Sequence, residues 1–341
     1  MPEPVLTRAI DTVVSGNDLS ADEAAEVLAV IMAGDASETQ IAGLLIALRT
    51  KGETVGELAG LARTMRSFAT PVATSRTDLV DTAGTGGGRS TFNVSTTAAL
   101  IAAGAGCAVA KHGNRSATSR SGSADVLEVD ADAQCLEHVG ICIDELGFGF
   151  MFAPRHHQAT RFVVPVRKEL AVRTIFNFLG PLTNPACARR QLIGVSDPGY
   201  VETMAGALAL LGVERALVVT SEDSLDEISI SAPTTVVQVD GQELITYTLR
   251  PEDVGLRTEP DTDAVLGGSP EDNAAATRAI FAGETGPRRD LAVLNAGAAI
   301  YAAGRADDLA AGVAAAQAAI DDGSATRTLD ALVLRTQELA S

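Results

Sequence analysis

A glycine-rich segment at residues 84–88 follows a short apolar run and precedes a series of hydroxyl side chains that could cap a helix. Glycines allow backbone N–H groups to approach phosphate oxygens closely, and the start of a helix adds partial positive charge. Arg89 stands where a dinucleotide fingerprint needs its third glycine, and no Gly-Lys-Ser/Thr of a Walker loop follows. The segment predicts a phosphate-binding loop, with an ordinary strand-to-helix turn as the alternative.

A second polar segment, residues 111–128, follows the apolar run 107–110. It combines Lys111, Asn114 and Arg115 with many serine and threonine hydroxyls. Ligands bind beyond the carboxyl ends of the strands in open α/β sheets, so these donors are expected to face a ligand. Cations, an amide and hydroxyls on one loop form a receptor for an anion. A solvated basic loop is the alternative.

An acidic turn at residues 221–229 follows a third apolar run and contains Asp226 and Glu227. Neighbouring carboxylates at a strand end suit Mg²⁺, which takes one or two carboxylates together with waters and substrate phosphates. The segment therefore indicates a magnesium site, with an acidic surface turn as the alternative.

Residues 150–157 and 165–185 place arginines beside phenylalanines and prolines. An arginine such as Arg167 could bind the acid group of an aromatic carboxylate while the ring packs on hydrocarbon. A purely structural role for the phenylalanines and prolines is the alternative. Taken alone, the four segments predict an anion-binding α/β enzyme assisted by a metal.

The chain of 341 residues carries a net charge of −18, which argues against nucleic acid or an acidic membrane as a partner. The acids are unevenly distributed, because residues 82–124 contain none and residues 146–196 contain only Glu169. Lysines and arginines occur in both stretches. An acidic protein with such acid-free stretches is expected to bind a small, highly charged anion.

The elements that must position these segments fall into two groups. Residues 1–70 predict short amphipathic helices, because three capping-box patterns (Ser20 to Glu23, Ser37 to Gln40, Thr54 to Glu57) each precede helical apolar spacing. Residues 71–76 predict a linker. From residue 77 to 341, apolar runs alternate with glycine turns and helices, including Ala-rich helices at 292–302 and 307–320, which indicates a mainly parallel central sheet. The predicted fold class is α/β, with a small N-terminal helical domain and a larger α/β domain.

Other classes of protein find little support in the sequence. The apolar run 92–110 is interrupted by polar residues and glycines, and the N-terminus has no pattern of a secretory signal, so we expect no membrane span and a cytoplasmic location. The four cysteines have no zinc spacing, and His156 and His157 are adjacent, so a structural metal site is not expected.

In this order, the segments resemble anthranilate phosphoribosyltransferases over nearly the whole chain. The strings Lys-His-Gly-Asn-Arg at 111–115, Ser-Gly-Ser-Ala-Asp-Val-Leu-Glu at 121–128, Arg-Thr-Ile-Phe-Asn at 173–177 and Gly-Pro-Leu-Thr-Asn-Pro at 180–185 carry the resemblance. It implies transfer of a phosphoribosyl group from phosphoribosyl pyrophosphate to the amine of anthranilate, a step of tryptophan biosynthesis. It also implies Mg²⁺, a homodimer formed through residues 1–70, and a further helical contribution from about 166–190. Contact with anthranilate synthase is left open.

The resemblance also implies roles for individual residues. For phosphoribosyl pyrophosphate it implies Gly84, Thr85, Gly86, Gly87, Thr91, Asn93, Ser95, Thr96, Lys111, Asn114, Arg115, Ser119 and Ser123. For anthranilate it implies Gly84, His112, Asn114, Pro154, His157 and Arg167. For the metal it implies Ser95, Asp226 and Glu227, and the catalytic set is Lys111, Asn114 and Arg167.

The chain departs from the family pattern in two places. The family usually reads Gly-Thr-Gly-Gly-Asp-Gly in the first loop, whereas this chain reads Gly-Thr-Gly-Gly-Gly-Arg at 84–89 and is one residue shorter before Thr91. Because a carboxylate is lost and a cation gained, we predict a weaker effect of Mg²⁺ through this loop. Arg89 is expected to join Lys111 in stabilising the departing pyrophosphate. The second departure is at 129–133, where we expect local rearrangement without loss of the site.

Three alternatives remain at this stage: a pyrimidine nucleoside phosphorylase, a phosphoribosyltransferase for another aromatic amine, and a nucleic-acid-binding relative of the same fold. The lysine-containing loop at 111–115 argues against the first, and the net charge argues against the third. The proton acceptor, water or His112, is left open.

Overall fold

The computed structural model describes residues 1–115, 120–127 and 135–340. Ser119 and the second departure, at 129–133, lie outside these ranges. The helices are α1 Pro4–Val14, α2 Ala21–Ala33, α3 Glu38–Lys51, α4 Val55–Ser67, α5 Val94–Gly104, α6 Ser123–Val126, α7 Leu136–Leu146, α8 Ala153–His156, α9 Val164–Leu170, α10 Phe176–Leu179, α11 Val201–Leu210, α12 Pro270–Phe281, α13 Pro287–Ala302, α14 Leu309–Asp321 and α15 Ser324–Ala340. The strands are β1 Leu79–Gly84, β2 Ala108–Gly113, β3 Phe148–Phe152, β4 Arg190–Gly194, β5 Arg215–Ser221, β6 Thr234–Asp240 and β7 Glu243–Leu249. Short 3₁₀ helices cover Gln158–Phe162, Gly180–Leu182, Pro198–Tyr200, Pro251–Val254 and Thr262–Val265.

Local side-chain caps start the N-terminal helices. The predicted reciprocal capping boxes form at the starts of α2 and α4, where Ser20 and Thr54 exchange hydrogen bonds with Glu23 and Glu57. At α3 the prediction holds only in part, because Gln40 accepts from the backbone N–H of Glu3 instead of from that of Ser37. This side chain ties α3 to the start of α1.

The seven strands form one sheet in the order β3-β2-β1-β4-β5-β6-β7. Neighbouring strands from β3 to β5 are parallel, whereas β6 is antiparallel to both β5 and β7. The predicted mainly parallel sheet beside an N-terminal helical bundle is confirmed. The hairpin of β6 and β7 was not predicted, although Asp240-Gly241 before a second strand is a known hairpin signal and Gly241 adopts a φ of 60°.

Both faces of the sheet are buried, as expected for parallel strands. In β5, Leu217 and Val219 pack in the core formed with α5, α13 and α14, while Ala216 and Val218 pack in the core formed with α11 and the N-terminal helices. Val163, Val166 and Ile175, from the segment around α9, join that second core. The domain boundaries and the role of residues 1–70 in dimerisation remain predictions.

Two strands extend further than the sequence indicated. The predicted apolar run 107–110 continues as β2 through Lys111 to Gly113, because pairing with β3 continues at Lys111 and Phe150. Similarly, β1 continues to Gly84, where it pairs with Gly194 of β4. Polar side chains are thereby fixed on strands and not on loops. No helix among the described residues is both long and apolar enough to cross a membrane.

Candidate active site

A cavity of about 700 Å³ opens at the carboxyl ends of β1, β2, β4 and β5, facing α9, α10 and α4. Among the predicted site residues it is lined by Gly84, Thr85, Gly86, Gly87, Thr91, Asn93, Ser95, Lys111, His112, Asn114, Arg115, Ser123, Pro154, His157, Arg167, Asp226 and Glu227. Thr96 lies behind the wall, where its hydroxyl donates to Ser123 Oγ at 3.0 Å. The structure thus brings the predicted phosphate, metal and aromatic positions to one space.

The glycine loop lies directly against the acidic turn. Gly86 and Gly87 have φ values of 64° and 85°, in the left-handed region that favours glycine. The N–H of Gly86 donates to Asp226 Oδ2 at 3.1 Å. On β4, a Cβ at Gly194 would stand 1.5 Å from the carbonyl oxygen of Asp226, so only glycine fits beside this turn.

Helix α5 starts at the cavity with Asn93 at its N-cap position, not with a Ser or Thr cap as the sequence suggested. The Asn93 side chain makes no cap hydrogen bond. Its amide donates to the carbonyl of Ser121 at 3.1 Å and accepts from Ser121 Oγ and Asn273 Nδ2 at 3.0 and 2.9 Å. Asn93 therefore joins the start of α5 to the second polar segment.

Lys111 is a buried cation at the floor of the cavity, only 1% exposed. Its Nζ donates to the carbonyl of Thr82 at 2.6 Å and to Ser95 Oγ at 3.3 Å. Burial lowers the pKa of Lys111 to about 8, although the charges of Asp81 and Glu227 oppose this shift. A cation in so dry a site interacts strongly with any anion that enters.

Asp81 is a buried carboxylate behind Lys111 that sequence reasoning missed. Its oxygens accept from the N–H of His112 at 3.0 Å and from Asn184 Nδ2 at 2.7 Å. Burial raises the pKa of Asp81 to about 6, against the opposing effect of Lys111. The signal in the sequence was a carboxylate directly after the apolar pair Leu79-Val80. Its partner Asn184 gave no such signal, because it lies 103 residues away in the chain.

Asp226 and Glu227 form a buried carboxylate pair. Burial raises the pKa of both, and the charge of Asp226 raises that of Glu227 further. Oε2 of Glu227 is buried without a hydrogen-bond partner among the described residues, and Oε1 accepts from Thr91 Oγ1 at 3.5 Å. A buried carboxylate pair of this kind suits a divalent cation.

Arg89 lines the cavity, and its guanidinium contacts two neighbouring segments. Nη2 forms an ion pair with Asp223 Oδ2 at 2.9 Å, and Nη1 donates to the carbonyl of Thr262. The loop N–H of Arg89 also donates to the carbonyl of Ser224 at 2.8 Å. Arg89 therefore fastens the shortened loop to the acidic turn, and its action on a departing pyrophosphate stays a prediction.

The opposite end of the cavity is more apolar. The Arg167 guanidinium lies 5.7 Å from the centre of the Phe176 ring, and burial lowers its pKa. The rings of His112 and His157 are 5.1 Å apart, and burial lowers the pKa of both, that of His157 to about 4. At pH 7 both imidazoles are neutral, so Arg167 is the cation of this end.

Comparison with known proteins agrees with this geometry. The family model described as "Glycosyl transferase family, a/b domain" matches residues 76–326, and the helical bundle domain of the same family matches residues 7–69. An anthranilate phosphoribosyltransferase from Moorella thermoacetica is 49% identical over 340 residues, which is 99% of this chain and 100% of the relative. The chain belongs to the anthranilate phosphoribosyltransferase family.

Solved structures of the anthranilate phosphoribosyltransferase family share the whole fold. The enzyme from Thermus thermophilus superposes with a TM-score of 0.91 at 47% identity, covering 96% of this chain and 99% of that one. The enzyme from Saccharomyces cerevisiae, in complex with PRPP and Mg, superposes with a TM-score of 0.88 at 26% identity, covering 98% and 99%. The predicted family is confirmed, and the alternatives outside it are not favoured.

Proposed function

We propose that this protein transfers the phosphoribosyl group of phosphoribosyl pyrophosphate to the amine of anthranilate, giving N-(5-phosphoribosyl)anthranilate and pyrophosphate. The observation that carries the proposal is one cavity with two chemically different ends. One end has the glycine loop, Lys111 and the acidic pair, and the other has Arg167 beside apolar side chains and neutral histidines. A charged sugar phosphate and an aromatic acid fit these ends in that order.

We propose Mg²⁺ as the metal, held by Asp226 and Glu227, with Ser95 lining the same cavity. The unpartnered Oε2 of Glu227 and the raised pKa of both carboxyls support this choice, because a cation would offset the cost of burying two negative charges. Bound Mg²⁺ supplies positive charge for the pyrophosphate oxygens. The Mg complex of the yeast enzyme supports the same choice.

The chain's own groups position and stabilise the leaving group. Positive charge develops on the sugar and negative charge on the pyrophosphate as their bond breaks, so donors fixed beforehand act without reorganisation. Lys111 donates hydrogen bonds to Thr82 and Ser95, and these contacts hold its positive charge at the floor of the cavity. The left-handed glycines bring the backbone of the first loop close to the phosphates.

The acceptor needs orientation more than activation. The amine of anthranilate is a weak but neutral nucleophile, so holding its nitrogen against the sugar supplies most of the effect. Arg167 would bind the carboxylate of anthranilate, and Pro154 and His157 would lie beside its ring. The proton of the amine is taken up either by His112, which lines the cavity, or by water.

An acceptor panel tests the proposed reaction. Release of pyrophosphate from phosphoribosyl pyrophosphate is measured with anthranilate, with aniline, and with 3- and 4-aminobenzoate, and phosphorolysis of thymidine and uridine is measured in parallel. We expect release with anthranilate at least tenfold faster than with the other amines, and no phosphorolysis. Faster release with another amine would assign a different acceptor, and phosphorolysis would assign a phosphorylase. A homodimer and a cytoplasmic location accompany this proposal as predictions.

A further inference from the structure

Arg173 lies beside the glycine loop but belongs to none of the predicted site sets. It follows α9, just beyond Ala171, whose φ of 50° turns the chain back toward the sheet. Arg173 Nη2 donates to Ser196 Oγ at 2.8 Å and, more weakly, to the carbonyl of Gly86 at 3.4 Å. A Cβ at Gly87 would stand 3.4 Å from Nη1, so the guanidinium closely covers this part of the loop.

The peptide groups around Gly86 are held from two sides. Its N–H is bound by the Asp226 carboxylate at 3.1 Å, whereas its carbonyl accepts from Ser196 Oγ at 2.8 Å as well as from Arg173. Thr85 Oγ1 in turn accepts from the N–H of Ser196 at 3.1 Å. The direction of the loop amides is thus set by the acidic turn on one side and by Arg173 with Ser196 on the other.

Arg173 itself is anchored to the N-terminal helices. Its carbonyl accepts from Arg49 Nη1 of α3 at 2.7 Å. Its guanidinium lies 5.8 Å from the centre of the Phe178 ring, which stacks on Tyr200 with a centroid distance of 4.0 Å and an angle of 15° between planes. The Tyr200 hydroxyl donates to Glu53, which follows α3. Two separate contacts therefore connect the helical part of the chain to the arginine that covers the loop.

We propose that Arg173 is a positioning residue that, together with Ser196, holds the Gly86 loop in its phosphate-receiving shape, and that Arg49 of α3 holds Arg173 in place. Because this role concerns the binding of phosphoribosyl pyrophosphate, it rests on the function proposed above. The arrangement makes the phosphate end of the cavity dependent on a side chain that does not line the cavity, since Arg49 contacts the lining residue Arg173 from behind the wall.

The first experiment separates the two substrates. In Arg173→Met we expect the KM and the calorimetric Kd of magnesium phosphoribosyl pyrophosphate to rise about tenfold or more, the usual cost of losing a hydrogen bond from a charged donor. The KM of anthranilate should change less than about twofold, because Arg167 is untouched. Arg173→Lys should recover only part of the affinity, because an ammonium lacks the planar guanidinium that covers Gly87 and lies beside the Phe178 ring.

The second experiment tests whether Arg173 works through the loop. In a cycle of Arg173→Met, Ser196→Ala and the double variant, the effects on the Kd of phosphoribosyl pyrophosphate should be less than multiplicative, because both side chains hold the same carbonyl. Fully multiplicative effects would contradict a shared action on the loop.

The third experiment uses Arg49→Ala with Arg63→Ala as a matched control. Arg63, on the neighbouring helix α4, is exposed and pairs with Asp22 away from the cavity. We expect Arg49→Ala to weaken binding of phosphoribosyl pyrophosphate about threefold or more, as for a lost hydrogen bond, and Arg63→Ala to leave it unchanged. Equal effects would overturn the link to α3.

The positioning role is overturned if wild type binds phosphoribosyl pyrophosphate and Arg173→Met binds it within twofold of wild type. Should Arg173→Met not fold, as judged by thermal melting, the lysine and Arg49 variants decide in the same way. Absence of binding by the wild type itself would instead reject the proposed function, so the two failures are distinguishable.

Discussion

Lys111 and Asp81 are two buried charged residues within the neighbouring parallel strands β2 and β1. Burying such a pair costs free energy that hydrogen bonds offset only in part, so its presence under a cavity points to function and not to stability. The carboxylate of Asp81 accepts hydrogen bonds from Asn184 and from the backbone N–H of His112. The charge of Lys111 lies at the floor of the cavity, where Nζ donates to the carbonyl of Thr82. The positive charge of Lys111 lies in the wall of the cavity in which the phosphates are proposed to bind.

A dependence of activity on pH follows from this pair. The pKa of Lys111 is lowered to about 8, so the charged form is present below that pH and is lost as the pH rises through it. We predict that kcat/KM for phosphoribosyl pyrophosphate falls above pH 8, by about tenfold per unit once the lysine is neutral. In Lys111→Arg the charge persists, so the alkaline fall should disappear. A wild-type profile that stays flat to about pH 9.5 would contradict the role of Lys111.

Arg167 gives a second prediction at the residue scale. Replacing it by alanine removes the cation of the apolar end, so we predict that the KM of anthranilate rises about tenfold to hundredfold while that of phosphoribosyl pyrophosphate stays within twofold. Arg161 is a matched control, because its guanidinium also lies over a phenylalanine, 4.8 Å from the Phe162 ring centre, but outside the cavity wall. Steady-state kinetics in which Arg161→Ala and Arg167→Ala behave alike would remove Arg167 from the site.

At the scale of elements, the glycine loop and the acidic turn act as one unit. Gly194 leaves space for the backbone carbonyl of Asp226, and the N–H of Gly86 donates to the Asp226 carboxylate. Arg89 forms an ion pair with Asp223. Where the resemblance led us to expect a carboxylate in this loop, the chain has in exchange an arginine that forms an ion pair. The pair leaves Asp226 and Glu227 as the buried carboxylates that face the cavity in the described structure.

The metal response should change when this exchange is reversed. Arg89→Asp removes the cation and adds a carboxylate beside Asp223, so we predict a stronger dependence of the rate on free Mg²⁺, measured from micromolar to millimolar concentrations. Arg89→Gln removes the cation without adding a ligand and serves as the control. If the Arg89→Asp curve coincides with that of wild type, the loop does not govern the effect of the metal.

The elements that local chemistry specifies were predictable from the sequence, and those that depend on distant contacts were not. The caps of α2 and α4 need residues three positions apart, and both were predicted. The side chain of Gln40 does not complete the predicted capping box of α3, because it accepts instead from the backbone N–H of Glu3, which directly precedes α1. Asn184 meets Asp81 only after the sheet has formed, and Arg89 likewise meets Asp223, which lies 134 residues away in the chain.

At the scale of the whole molecule, one continuous apolar core packs the N-terminal helices against one face of the sheet. The glycine loop and the acidic turn reach one cavity because the ends of their strands meet at one edge of the sheet. Arg167 reaches the same cavity because the segment around α9 folds over that edge. Residues 82–124 and 146–196, which line much of the cavity, are net positive although the whole chain has a net charge of −18, and this is consistent with a cavity that attracts anions in an acidic protein.

The predicted homodimer is also a property of this scale. Light scattering should give twice the chain mass of 35.0 kDa. Ile46 of α3 is an exposed apolar side chain on the helices predicted to pair, so Ile46→Asp should shift the protein toward monomer. Leu334→Asp, at an exposed apolar position of α15, is the matched control and should leave the mass unchanged. A monomeric wild type would contradict the predicted dimer.

The most direct test of the central claim is to follow the loss of anthranilate fluorescence upon addition of phosphoribosyl pyrophosphate, while measuring pyrophosphate in the same sample. We predict one pyrophosphate released per anthranilate consumed in the presence of Mg²⁺, and no loss of fluorescence when the metal is chelated. Pyrophosphate release without consumption of anthranilate, or no reaction from a folded protein that binds both compounds, would contradict transfer of the phosphoribosyl group to this amine.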